Sequence, residues 1–475
     1  MNHARALTGS ETARLPGVGW WLLLALVVAV NIMLGWLAAA AVLAFFLIQR
    51  ARPFDFLAAF MIVMGGAMFV NYGAGRLTAE LGMVTAGSLF MVLCYTLQRA
   101  PDVVRVPATP LTLPLILYAV LSLLNFQRGL MLGNSPRYAG LELIPPLALA
   151  SALLVATVRF DRRTIATTMV VLFVLGMANL AVSMWAFTIA HVRTGGIAFT
   201  GIDGMIAALA IPFVLREPVA QRRWIYLAAL TPMLVHQFLS FTRGLWLALI
   251  GVVIFHVVVY VGRGPGAKAR WQRVAEMFAV LLAVGIVGIA VVATALGMTT
   301  DLGQMAASRF ASSGSVKMTP ETMSNVIRIA EYLTALGHIA RSPIVGHGLG
   351  FSYVFRSPVG FGLDEHWYVH NDYLLVWLKQ GIIGLALLVW ILIASFRTGW
   401  RLRNHPDLYL GSWGLGAAAV SLHFVIYSST NFPFGSVNAV FLAALAWGGA
   451  MAIAATDVTI LRWRRGGTTA EESRA

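Results

Sequence analysis

The stretch Gly244–Val261 reads GLWLALIGVVIFHVVVYV, eighteen residues without one Asp, Glu, Lys or Arg. Wound as an α-helix it would rise about 27 Å, close to the thickness of a bilayer's hydrocarbon core. Runs of the same kind recur on both sides of it along the 475 residues. The composition agrees, with 59% of residues hydrophobic and 11% charged, against about 25% charged in an ordinary soluble domain. So few charges cannot solvate a globule of this size. That excludes a soluble enzyme, a disordered chain and a nucleic-acid-binding domain. The runs are continuous rather than alternating, which also argues against an outer-membrane barrel. The sequence specifies an all-α polytopic membrane protein.

About 12–14 membrane helices are expected. The spans read Trp20–Val30 with Ile32–Ile48 (a tight pair or one long tilted helix), Phe54–Val70, Ala79–Leu97, Leu111–Gln127, Leu141–Val158 and Thr164–Ala190. They continue with Gly196–Leu215, Trp224–Phe241, Gly244–Val261 and Val274–Leu296, and after a polar gap with Asn371–Ser395, Leu408–Ser428 and Phe434–Ala455. The net charge of +15, from 34 basic against 19 acidic residues, fits retention of Lys and Arg in cytoplasmic loops. Of the basic residues, 23 fall on one set of alternate loops and 10 on the other. This bias puts both termini in the cytoplasm. The organisation is then eleven helices over 1–296, an extracytoplasmic domain over 297–370, three helices over 371–456 and a cytoplasmic tail over 457–475. Met1–Pro16 reads as a short polar tail rather than a cleavable signal, and the single Cys94 excludes an intrachain disulfide.

The 297–370 segment is the least membrane-like part of the chain. Thr319-Pro320-Glu321 offers an N-cap, a first-turn Pro and a first-turn acid. Met323, Val326, Ile327, Ala330, Leu333 and Leu336 then form a helical stripe, which Ser342-Pro343 stops. Gly346-His347-Gly348-Leu349-Gly350 reads as a turn. Beyond it, Val369-His370-Asn371-Asp372-Tyr373 leads into an apolar helix, with His370 or Asn371 as the N-cap and Asp372 facing the positive helix end. A histidine there is disfavoured as imidazolium, so it can take a proton from a hydroxyl, or it can serve only as a cap. Arg243 and Arg328 stand on the side sparse in basic residues. Each guanidinium suits phosphate oxygens, although Arg243 can equally snorkel at an interface and Arg328 can pair with Glu331 at i+3. His366 and His347 are secondary candidates. His236, His256 and His423, isolated in apolar spans, read as satisfied core groups. No spacing supports a metal site or a cofactor.

Val369-His370-Asn371-Asp372-Tyr373-Leu374-Leu375, with Gly381 eleven positions after the histidine and Ile382-Ile383-Gly384-Leu385 after it, resembles the signature of the O-antigen ligase and polymerase family. Ser342-Pro343-Ile344-Val345-Gly346-His347-Gly348-Leu349-Gly350 is similar to that family's proline–glycine stretch, and Thr242-Arg243-Gly244 to its Ser/Thr-Arg-Gly. The resemblance implies a GT-C-like, metal-independent glycosyltransferase of the bacterial inner membrane, with its active site on the periplasmic face. It implies an undecaprenyl-diphosphate-linked glycan as donor, and lipid A–core (ligase) or a second lipid-linked glycan (polymerase) as acceptor. The family's histidine falls on His370 and its arginines on Arg243 and Arg328, with Asn371, Asp372, His366 and His347 as supporting or acceptor-side groups. A polysaccharide transporter or flippase is the non-enzyme alternative. Such proteins carry charges near the bilayer midplane, and here Lys379 alone is clearly inside a span.

Overall fold

The computed structural model describes residues 107–190, 200–240, 242–262, 266–295, 320–356 and 363–472. The spans expected between Trp20 and Leu97 lie outside them. From Leu111 onward every expected span is a helix. These are α1 (Thr112–Met131), α2 (Pro136–Ala150) with the short α3 (Ala152–Val155), α4 (Arg162–Ala190), α5 (Thr200–Arg216), α6 (Ala220–Leu239), α7 (Arg243–Val261) and α8 (Ala267–Ala295). After α9 (Pro320–Ile339) come α10 (Asp372–Arg401), α11 (Leu408–Ser428) and α12 (Val437–Glu472). Among the described residues six helices are long and apolar enough to cross a membrane. The chain is a multi-pass membrane protein.

The central helix is α11. Its residues 411–421 are all buried, and its small residues admit close neighbours. Gly416 lies on the Leu209 backbone of α5, and Gly414 against Leu402 and the Gly399 carbonyl of α10. Buried polar groups inside the bundle are mostly paired, because hydrocarbon offers them nothing else. His236 Nδ1 lies 2.5 Å from Asp203 Oδ2, which also accepts from Asn179 Nδ2 at 2.8 Å. His256 Nε2 sits 2.9 Å from the Ala208 carbonyl. His423 departs from the expectation of a satisfied core group, since neither of its ring nitrogens has a hydrogen-bond partner among the described residues.

One element was not expected. Between α9 and α10 the chain forms an antiparallel hairpin of β1 (Tyr353–Arg356) and β2 (Leu363–His366), pairing Tyr353 with His366 and Phe355 with Asp364. The otherwise all-α fold therefore carries two short strands. Tyr353 and Phe355 turn inward onto Ala335 and Ile339 of α9 and Leu375 and Leu378 of α10, closing a small core.

The long helix α10 is broken at Gly381, whose φ of 70° and ψ of −172° are non-helical. The break frees carbonyls that the proline–glycine stretch captures. His347 N donates to Leu378 O and Gly348 N to Lys379 O, both at 2.9 Å, while Ile382 N donates to Pro343 O at 2.9 Å. The turn itself is held by positive φ at Gly346, Gly348 and Gly350. Lys379 is buried there against Glu142 of α2 at 2.5 Å and also donates to the Phe351 carbonyl. The second carboxylate oxygen of Glu142 accepts from Gly350 N at 2.7 Å. The one charge expected within a span is thus a clamp on this turn, and Asp203, buried in α5, is a further ionisable group within a span.

Candidate active site

Helix α9 carries three side chains on one face at i, i+3 and i+4, so they point together. Arg328 Nη1 donates to the Thr430 carbonyl at 2.9 Å. Glu331 Oε2 lies 2.9 Å from His370 Nδ1 and accepts from the His370 backbone N at 3.4 Å. Tyr332 Oη donates to the His370 carbonyl at 2.6 Å. Burial pushes the Tyr332 phenol up, so it remains a donor. The Arg328–Glu331 pairing that the i+3 spacing allowed gives way to these contacts.

The capping question is resolved. Asn371 is the N-cap of α10, with its Oδ1 accepting from Leu374 N at 3.1 Å. His370 stands just outside the helix with its side chain 29% exposed, ringed by Tyr368 at 5.2 Å and Phe432 at 5.8 Å between centroids. It is therefore free of the capping task. Asp372 follows Asn371 in the first turn of α10. It is fully buried, and its Oδ2 accepts from Ser428 Oγ and Phe434 N, each at 2.9 Å.

The segment between α11 and α12 joins these parts. Asn371 Nδ2 donates to Ser429 O at 3.1 Å and Asp372 N to Asn431 O at 3.2 Å. Arg328 reaches Thr430 O, and Gly244 packs directly on the Thr430 side chain. Arg243, the first residue of α7, thus begins its helix beside the same loop. His370, Arg328 and the Arg243 turn, distant in sequence, converge on residues 428–434.

The supporting candidates divide. His366 lies beside the carboxylate, its Nδ1 3.9 Å from Glu331 Oε1. His347 is turned away, with Nε2 2.9 Å from the His338 carbonyl and its ring stacked on Phe351. Burial, with Arg341 and His347 nearby, holds His338 below the ordinary histidine range. Sequence reasoning missed Glu331 as a partner of His370, although its place one turn after Arg328 was the available signal. It also missed Thr430, for which no local signal exists. Among the described residues no group of three His, Cys, Asp or Glu side chains could hold a metal ion.

The order Arg243, Arg328, proline–glycine turn, His370, Gly381 is now both a sequence pattern and one spatial unit. Residues 228–389 match the family model described as O-antigen ligase. The match makes this stretch of the chain similar to O-antigen ligases. It encloses every residue of α9, the hairpin and the broken part of α10. No curated protein matches the chain.

Proposed function

We propose that this protein is a glycosyltransferase of the bacterial inner membrane whose 297–370 segment is periplasmic. It moves a glycan from undecaprenyl diphosphate to a hydroxyl of lipid A–core, in the manner of a ligase. The observation that carries this reading is the convergence on residues 428–434 of a histidine backed by a buried carboxylate with two arginine-bearing elements. In the step itself the acceptor O–H bond breaks and its proton passes to His370 Nε2. The acceptor oxygen bonds to the anomeric carbon as the bond from that carbon to the phosphate oxygen breaks. The electron pair leaves on the diphosphate, where Arg243 and Arg328 offset the growing charge. The proton on His370 then returns to the diphosphate or to solvent. The donor is already activated, so no metal is needed.

Purified protein in lipid nanodiscs, given lipid-linked glycan with and without lipid A–core, tests this. Glycan should appear on lipid A–core, with no change on adding a chelator. His370→Asn should bind donor and fold normally yet lose about 10²–10⁴-fold in rate, the usual contribution of a general base. Growth of glycan chains without lipid A–core would replace the ligase by a polymerase. Normal transfer by His370→Asn would remove the base.

A further inference from the structure

We propose that Glu331 is the positioning residue that fixes His370 as a base at Nε2, a role that rests on the transfer reaction proposed above. A carboxylate side chain only accepts hydrogen bonds. With Glu331 Oε2 2.9 Å from His370 Nδ1, a neutral imidazole meets it by carrying its proton on Nδ1. The other nitrogen then has a lone pair and no proton. The exposures fit this division of labour, because the carboxylate is 1% exposed and the imidazole 29%. A substrate hydroxyl can reach the ring but not the acid behind it.

The ring has little freedom to leave this arrangement. Its backbone is held from both sides by adjacent residues of α9, with N–H to Glu331 and C=O to Tyr332. Tyr368 and Phe432 flank the ring edge-on. As Nε2 takes the proton the imidazolium forms directly over a desolvated negative charge, where the attraction is least screened. The second oxygen of Glu331 has a use as well. Oε1 faces His366 Nδ1 at 3.9 Å, and neither atom has a hydrogen-bond partner among the described residues. A shift of about 1 Å would join them. His366 thus lies next to the carboxylate oxygen that His370 does not engage.

Two measurements test the assignment. In the full-length protein in nanodiscs, ¹⁵N-histidine NMR reads the tautomer of His370, its signal being the one lost in His370→Asn. A protonated Nδ1 with a bare Nε2 is expected, and the opposite tautomer would overturn the proposal. In kinetics, Glu331→Gln keeps the volume and removes the charge. Its kcat should fall about 10²-fold or more, in line with other acids that orient a catalytic histidine, while KM for donor stays within about twofold. Glu331→Asp should recover part of the loss. In the His370→Asn background, Glu331→Gln should cost nothing further, because it acts through the histidine. An unchanged kcat, or full additivity with His370→Asn, would show that Glu331 only holds α9 in place. Should Glu331→Gln fail to fold, the tautomer and Glu331→Asp still decide. Loss of transfer in His370→Asn with normal transfer in Glu331→Gln would overturn this inference alone. Normal transfer in His370→Asn would overturn the reaction beneath it.

Discussion

Arg328 and Glu331 sit one turn apart on an amphipathic helix, a spacing that stabilises an isolated helix through an ion pair by about 0.2–0.5 kcal/mol. The fold uses them separately. Glu331 is buried and needs donors from His370. Arg328 spends one donor on the Thr430 carbonyl and, among the described residues, has no carboxylate partner. A guanidinium keeps its charge and its planar fork, so its remaining donors suit a diphosphate. Arg328→Ala should nearly abolish transfer, and Arg328→Lys should restore only part of it because a point charge cannot reproduce the fork. The lost hydrogen bond to Thr430 costs about 1 kcal/mol, so both variants should melt close to the parent. Rates with lipid-linked donor and thermal unfolding in detergent check the two halves of this expectation. Wild-type rates for Arg328→Ala would place the anion site elsewhere. The candidate residues were legible here because their types limit what they can do. Their partners were not, since Thr430 is about a hundred residues from Arg328 and no spacing rule reaches it.

At the scale of elements, the helices were readable because apolar stripes and caps repeat locally. The hairpin signal was present but short: Tyr353 and Phe355 point in, and Val354 between them points out, alternating over only four residues. The break in α10 is the element on which the site depends. Gly381 sits at φ 70° and ψ −172°, a region closed to residues with a Cβ at about 1–3 kcal/mol. Any Cβ there would also collide with the Ile344 carbonyl. Across the contact a Cβ on Gly346 would fall 2.5 Å from Gly381 N and Lys379 O. The pair of glycines lets a turn lie backbone to backbone on a broken helix, over Leu378–Ile382. Gly381→Ala should therefore lower stability by about 3 kcal/mol or more and reduce transfer, although it lies far along α10 from the histidine. Thermal unfolding with a parallel rate measurement tests this, and a variant of normal stability would mean the turn seats itself some other way. The spacing of Gly381 from His370 is visible in sequence, but its reason is not, because the partner is another loop.

For the whole molecule the question is which end faces which compartment. The helices sort the loops into two ends. At one, Arg162 pairs with Asp407 at 2.5 Å and Tyr226 meets Tyr409 at 3.4 Å. Burial pushes the Asp407 carboxyl up, and Arg162 with the N–H groups of Tyr409 and Leu410 reverses it, leaving it below the usual carboxylate range. At the other end Arg128 holds the Val345 and Gly346 carbonyls and α9 covers His370. The loops joined by Arg162, Asp407 and Tyr409 belong to the set richer in basic residues, which the positive-inside rule assigns to the cytoplasm. The twenty-one residues from Gly381 to Arg401 rise about 30 Å and suffice to cross the hydrocarbon core. The nine from Asp372 to Gln380 separate His370 from that stretch, at the end of α10 opposite Arg162 and Asp407. Accordingly, in a Cys94→Ala background, Ser313→Cys should react with a membrane-impermeant maleimide in intact spheroplasts. Ala267→Cys should react only after permeabilisation, because it opens α8 directly after the basic loop. The reverse pattern would put His370 in the cytoplasm, where a hydroxyl acceptor on the outer face could not meet it, and the transfer reaction would have to be withdrawn with the topology.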